Sequence, residues 1–254
     1  MRPQKPPNGK EGLQLQPHEP HESLRTENSV YNARMGSSSE NLNLPEKVEI
    51  AIRVLALKYA KELKSKMDDR AIEMEEDDTS HYLIYRVLGI SDDDGRLIDI
   101  YQNKGRFLYK YAGSFLEEAA KLCFVEKFPE SGSLRIQNTI GQRPKTFEID
   151  CLVEGKRAIE IKWRDATTDG DHITKEHTRL QAITASGYQP IRIMFYYPNR
   201  SQAIRIQQTL ETLYHGLNGE YFYGDDAWNY IHRHTGIDLR GILEKIAQEN
   251  QLKA

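Results

Sequence analysis

Two segments of the chain alternate apolar and charged residues with a period of two, and a turn separates them. Phe147-Glu148-Ile149-Asp150-Cys151 and Ile159-Glu160-Ile161-Lys162-Trp163 flank Glu154-Gly155-Lys156. Successive side chains of a strand point to opposite faces, so the pattern predicts a β-hairpin with one apolar and one charged face. On that pattern Phe147, Ile149 and Cys151 share the core face with Ile159, Ile161 and Trp163, while Glu148, Asp150, Glu160 and Lys162 leave it. Register decides which charges meet. A two-residue loop at Glu154-Gly155 would set Asp150 against Ile159. A three-residue loop at 154–156 sets Asp150 opposite Glu160 and Glu148 opposite Lys162. Because a one-residue slip exchanges faces, the apolar pattern selects the three-residue loop.

Around the hairpin the period changes. Leu116, Ala119, Ala120 and Cys123 line one face of a helix over 115–124, with Glu117 and Glu118 at its flank. Leu134 to Ile140 reads as a strand broken by Gly141 and Pro144. After the hairpin, Asp169-Gly170-Asp171 predicts a turn, and a helix capped by Asp171 or Thr174 runs to about Ser186, where Gly187 stops it. Ile191, Ile193 and Phe195 form an apolar strand closed by Pro198. Ile206, Leu210, Leu213 and Leu217 give the next helix, and short helices surround Trp228 and Leu239. Hairpin, helix, strand, helix predicts an α/β (α+β) fold, a mixed central sheet with helices on its faces.

The flanks differ in composition. Residues 1–45 hold six of the ten prolines and balance five basic against five acidic side chains, which predicts a flexible arm. Residues 46–254 then form a single domain with three parts: a helical acidic subregion at 46–100, the core at 101–213 and C-terminal helices at 214–254. In the first part Pro45-Glu46 starts a helix of about five turns on Val48, Ile52, Leu55, Tyr59 and Leu63. The run Asp68 to Asp78 lacks the glycine and alternating acids of a calcium loop, so it reads as a solvated face or loop. A short helix follows through Tyr82, Tyr85 and Leu88, ending at Gly89.

A net charge of −3 over 254 residues argues against a nucleic-acid partner until it is divided. Residues 46–100 carry 9 basic and 14 acidic groups, but 101–213 carry 17 and 13. The positive charge is concentrated where the hairpin lies. Acidic flanks would weaken indiscriminate phosphate binding, which suits a selective enzyme. Nothing approaches the roughly 18 consecutive apolar residues of a membrane span, and the N-terminus lacks a signal peptide's apolar centre. With two cysteines, Cys123 and Cys151, a disulfide scaffold is excluded and a reducing cytoplasm is expected.

Carboxylates facing each other repel unless positive charge stands between them. Lys162 supplies one charge and a divalent cation would supply more. Oxygen-only ligands favour Mg²⁺, which needs only one or two carboxylates, and Asp150 and Glu160 provide those. A lysine beside them orients a water while the cation neutralises charge on a phosphate. The pairs His172/His177 and His232/His234 lack the spacing of a zinc site.

Asp150, nine intervening residues and Glu160-Ile161-Lys162 resemble the PD-(D/E)xK nuclease motif on its hairpin, and Gly113-Ser114-Phe115-Leu116-Glu117 resembles the superfamily's active-site helix. Ile149 replaces the motif proline. The run from Glu160 through Trp163, Arg164, Thr167 and His172 to His177 is similar to type II restriction endonucleases of the ApaLI-like group. The resemblance implies a restriction-endonuclease-like fold and Mg²⁺-dependent cleavage of double-stranded DNA at a palindrome, GTGCAC for that group, leaving 5′-phosphate and 3′-hydroxyl ends. It implies Asp150, Glu160 and the Ile161 carbonyl as metal ligands, Lys162 positioning water and Glu117 orienting the site. A partner methyltransferase and a prokaryotic cytoplasm follow from the same resemblance.

A palindrome is read most simply by a homodimer. Thr167, Thr168, Asp169, Asp171, His172 and Lys175 are candidates for the groove, and Arg143, Lys145, Arg157, Arg164 and Arg179 for phosphates. A structure-specific repair or junction nuclease with the same hairpin, and a non-catalytic DNA-binding protein, are the alternatives.

Overall fold

The computed structural model describes residues 42–164 and 170–252. Among these, seven helices occur: α1 (Leu44–Glu75), α2 (Tyr82–Val87), α3 (Asp92–Lys127), α4 (Gly170–Ala185), α5 (Ser201–Gly216), α6 (Asp225–Thr235) and α7 (Leu239–Gln251). Five strands, β1 (Gly132–Gln137), β2 (Thr146–Val153), β3 (Arg157–Arg164), β4 (Gln189–Tyr196) and β5 (Glu220–Tyr223), form one sheet in chain order. β1, β2 and β3 pair antiparallel, whereas β3, β4 and β5 pair parallel. Parallel neighbours need a crossover, and α4 and α5 supply the two. The result is the mixed sheet flanked by helices that the pattern predicts, preceded by a helical N-terminal part. No helix among the described residues is long and apolar enough to cross a membrane.

The two faces of the sheet are built differently. Ile159, Ile161, Ile191, Ile193 and Phe195 pack against Leu116, Ala119, Ala120, Cys123 and Phe124 of α3, with α1, α6 and α7 closing the same cluster. Alanines and cysteine on α3 let the helix lie close to the sheet, and each buried Ile or Phe contributes roughly 1.5–3 kcal/mol. On the opposite face α4 and α5 cover Ala158 and Met194 through Ala182, Ile183, Leu180 and Leu210.

Two helices are longer than their apolar patterns predict. α1 begins with a capping box between Asn43 and Glu46 and buries Val48, Ile52 and Leu55. It then continues through the acidic run to Glu75, where a loop was one expectation. There the acids face solvent with pairs such as Arg70–Glu73 at 2.8 Å, while Met67, Ala71 and Met74 lie against Ile100 and Phe107 of α3. α3 starts at Asp92 instead of near 115, with Ser91 accepting from the Asp94 N–H at 3.1 Å. Before Leu116 only Gly95 on α3 is buried. Gly95 is required because a Cβ there would stand 2.6 Å from the Tyr85 ring. The aromatic run 221–223, without a predicted element, is strand β5.

The hairpin turns through Glu154-Gly155-Lys156, with Glu154 at φ 52° and Gly155 at φ 62°. Val153 pairs with Arg157 and Cys151 with Ile159, which is the three-residue loop. Strict alternation fails one residue further on. β1 pairs Gly132 with Leu152 but Leu134 with Ile149, so Ser133 alone faces Asp150 and Cys151. That is a β-bulge, and it reverses the faces of β2 on its two sides. Phe147 and Ile149 therefore pack with Ala158, Ala182 and Ile183, while Cys151 and Val153 join Ile159 on the α3 face. The expectation that Ile149 and Cys151 share a face is overturned.

Candidate active site

The bulge sets the position of Asp150. Its carbonyl, released from the ladder, accepts from Ser133 Oγ at 2.8 Å. Its carboxylate replaces a strand partner, because Oδ2 accepts the Ile161 N–H at 2.8 Å. β2 and β3 thus part beyond Cys151–Ile159, and Asp150 is held where they diverge. Burial, together with Glu160 and then Glu117 nearby, pushes the Asp150 carboxyl up to about 7.

Glu160 stands in the opposite situation. It is only 6% exposed, yet both of its oxygens meet cations. Lys162 Nζ lies 2.5 Å from Oε1, and Arg179 of α4 donates to Oε2. Burial alone would raise its carboxyl, but Arg179, Lys162 and Arg192 hold it far below the usual carboxylate range. Lys162 gains in return: burial favours its neutral form, and Glu160 and Asp150 outweigh that and raise its ammonium.

Behind this pair lies a buried charge network that the sequence pattern does not announce. Glu176 Oε1 accepts from Arg192 at 3.1 Å, Arg179 at 3.4 Å and the Tyr214 hydroxyl at 2.9 Å. Arg179 also donates to the Glu148 carbonyl at 2.8 Å. A charged residue almost never lies fully buried unless paired, and each of these is paired. The register could have shown part of it, since Arg192 sits beside Glu160 in the parallel pair.

Glu117 and Glu118 divide their roles. Glu117 pairs with Lys121 at 2.6 Å and, with Ile161 and Lys162, lines a cleft of about 780 Å³ between α3 and the end of β3. Glu118 turns away to accept from the Tyr59 hydroxyl at 2.5 Å. Arg106, Lys110, Gly113 and Glu117 recur at helical spacing along the cleft wall, and Arg164 and Arg200 complete its basic lining. Arg106, Lys110 and Arg200 were absent from the sequence expectations. The spacing of the first two before Glu117 was the available signal.

The other expected site residues fall in different places. Glu148 leaves the site and pairs with Arg135 at 3.4 Å, because the bulge separates its direction from that of Asp150. Arg179, expected at a phosphate, is 8% exposed and committed to Glu160 and Glu176. Arg157 is held by Glu154 and His234, which accounts for one histidine of the second pair. Arg143 and Lys145 are exposed in the β1–β2 loop, where a Cβ on Gly141 would lie 3.2 Å from Thr178 of α4. Arg164 is exposed, with its guanidinium over Tyr109 and Trp163. Lys175 is exposed and His172 half-buried. Burial, with Arg192 and Lys162 nearby, lowers the His172 imidazole. Thr167, Thr168, Asp169 and the Asp171 side chain lie outside the described residues.

The donor chemistry fits a hard cation. Asp150, Glu160 and the Ile161 carbonyl offer oxygen alone. Asp150 stands beside Glu160 and Glu117, while both Glu160 oxygens are engaged by Lys162 and Arg179, which a cation would have to displace or share. Among the described residues no group of three or more His, Cys, Asp or Glu could hold an ion. One or two carboxylates and a carbonyl are the donors that Mg²⁺, which retains most of its waters, requires.

A family model described as ApaLI-like restriction endonuclease matches residues 28–248. No curated protein and no solved structure matches the chain.

Proposed function

The chain belongs to the ApaLI-like restriction endonuclease family, and from that premise we propose that it is a type II enzyme hydrolysing both strands of DNA at the hairpin site. The observation that carries this reading is the divergence of β2 and β3, which seats Asp150 on the Ile161 N–H beside the Glu160–Lys162 pair. The reaction forms a bond from water oxygen to phosphorus and breaks the phosphorus bond to the 3′ oxygen, leaving 5′-phosphate and 3′-hydroxyl ends.

Asp150, Glu160 and the Ile161 carbonyl would hold Mg²⁺, which supplies positive charge against the phosphate when bound. Lys162, kept charged by Glu160, donates to the attacking water or to a phosphate oxygen and does not act as the base. Glu117 projects from α3 into the same cleft and orders the site from its far wall. Arg106, Lys110 and Arg164 attract the backbone, and His172 and Lys175 with the segment 167–169 are the candidates for base edges. A palindrome of the GTGCAC type, a companion methyltransferase and a prokaryotic cytoplasm belong to this proposal.

So does a homodimer. Leu83, Ile84, Val87, Leu88, Leu97, Ile98 and Tyr101 are each about half or more exposed, and Val87 reaches 72%. Crowding of this kind within 19 residues of chain supports an interface. Digestion of a plasmid of known sequence in Mg²⁺ tests the function. Discrete fragments with 5′-phosphate ends are expected, and intact plasmid would refute it.

A further inference from the structure

Past Lys162, at the end of β3, lies a second trough of about 400 Å³ whose lining includes Trp163, Arg164, Tyr196, Asn199 and Arg200. Trp163, Arg164 and Arg200 line both spaces. The trough lies at the carboxyl ends of β3 and β4, which run parallel with Arg164 beside Tyr196. Ligands of parallel sheets gather at such ends, where the chain leaves the strands in loops.

Its surfaces are flat and aromatic. Tyr196 is 53% exposed, and Trp228 braces it edge-on with ring centroids 6.2 Å apart. Trp163 is propped by Tyr109 at 5.5 Å, and the Arg164 guanidinium lies 5.3 Å from the Tyr109 centroid. Asn199 and Arg200 are exposed at the rim, where an amide and a guanidinium can meet the edge of a planar ligand. Among the described residues none that lines the trough is acidic.

Ring faces, basic charge and an amide edge are the chemistry of a nucleobase site. A base inside a duplex offers only its edges, because its faces are covered by the stack. Stacking on Tyr196 therefore requires a base that has left the stack. Arg164 stands two residues past Lys162, about 7 Å along a strand, or roughly two base steps of 3.4 Å. We propose that the trough receives one base displaced from the cleaved DNA, within two nucleotides of the scissile phosphate. Its face would rest on Tyr196 and Trp163 and its edge would meet Asn199. The inference rests on the endonuclease reading and adds to it a duplex distortion that the hairpin alone does not require.

The test uses duplexes carrying the mapped cleavage site, with 2-aminopurine at each position near the cut and Ca²⁺ in place of Mg²⁺. 2-Aminopurine brightens when it leaves the stack. The wild-type protein is expected to raise its fluorescence several-fold at one position. Tyr196→Ala should abolish that rise while keeping the wild-type melting temperature, and Tyr196→Phe should restore it. If the wild-type protein cuts but brightens no position, the proposal is overturned and the endonuclease reading stands. A rise that survives in Tyr196→Ala overturns the assignment of the trough. If the wild-type protein cuts no DNA, both fall together.

Discussion

β3 presents two different interiors from one strand. Its odd residues, Ile159 and Ile161, enter an apolar cluster with α3, whereas Glu160 on the other face enters a network of charges under α4. The apolar face gains from burial whatever its exact contacts, and it is the source of stability. The charged face gains little net energy, since desolvation offsets most of the attraction between its ions. What that face supplies is direction, with Glu160 and Lys162 fixed at one end and Asp150 delivered by the bulge. Period-two alternation makes both possible in adjacent residues.

Substitutions can break this division. The largest effect is expected from Asp150→Asn, with cleavage falling on the order of 10²–10³-fold or more. Its stability should move the other way. Burial raises the Asp150 carboxyl to about 7, above its ordinary value, so the folded chain binds that proton more tightly than the unfolded chain. The associated stability is complete below the ordinary aspartate range and is lost as pH rises toward 7 and beyond. Without divalent cations, Asp150→Asn should therefore melt higher than wild type at pH 8 and equally at pH 3.5. Melting curves at the two values check the sign.

Glu176→Gln attacks the charged face behind the site. It leaves Arg192 and Arg179 buried without their shared carboxylate, and about 3–5 kcal/mol of stability should be lost. Urea unfolding measures it, and a loss below 1 kcal/mol would mean that the network is wetter than its geometry implies. Ile193→Ala tests the apolar face. A cost of about 2–5 kcal/mol is expected, with cleavage per folded molecule unchanged. A matching fall in cleavage would show that the two faces are not separable.

The same contrast explains what was legible in the sequence. The faces taken by Ile159, Glu160, Ile161 and Lys162 could be read because alternation repeats along the strand and a slip would turn charge into the apolar cluster under α3, but the burial of Glu160 could not. The bulge at Asp150–Cys151 could not, since it changes pairing without changing composition. Nor could Arg179 be assigned, because an arginine four residues before Ile183 on an amphipathic helix reads as surface until its partner is known. The first half of α3 was missed for a third reason. From Asp92 to Phe115 only Gly95 is buried, so no apolar period marks the helix, and caps and contacts with α1 and α2 sustain it instead. β5 was missed because four residues, Glu220–Tyr223, are too few to show a period.

Lys162 is where the two interiors and the proposed chemistry meet, so its replacement is the most direct test. The measurement is single-turnover cleavage of a duplex containing the mapped site by Lys162→Ala in Mg²⁺, with DNA affinity measured in parallel. The account predicts wild-type affinity with cleavage reduced on the order of 10²-fold or more. Cutting at the wild-type rate would contradict it, because the charged face of the hairpin would then be structural and the hydrolytic site would lie elsewhere.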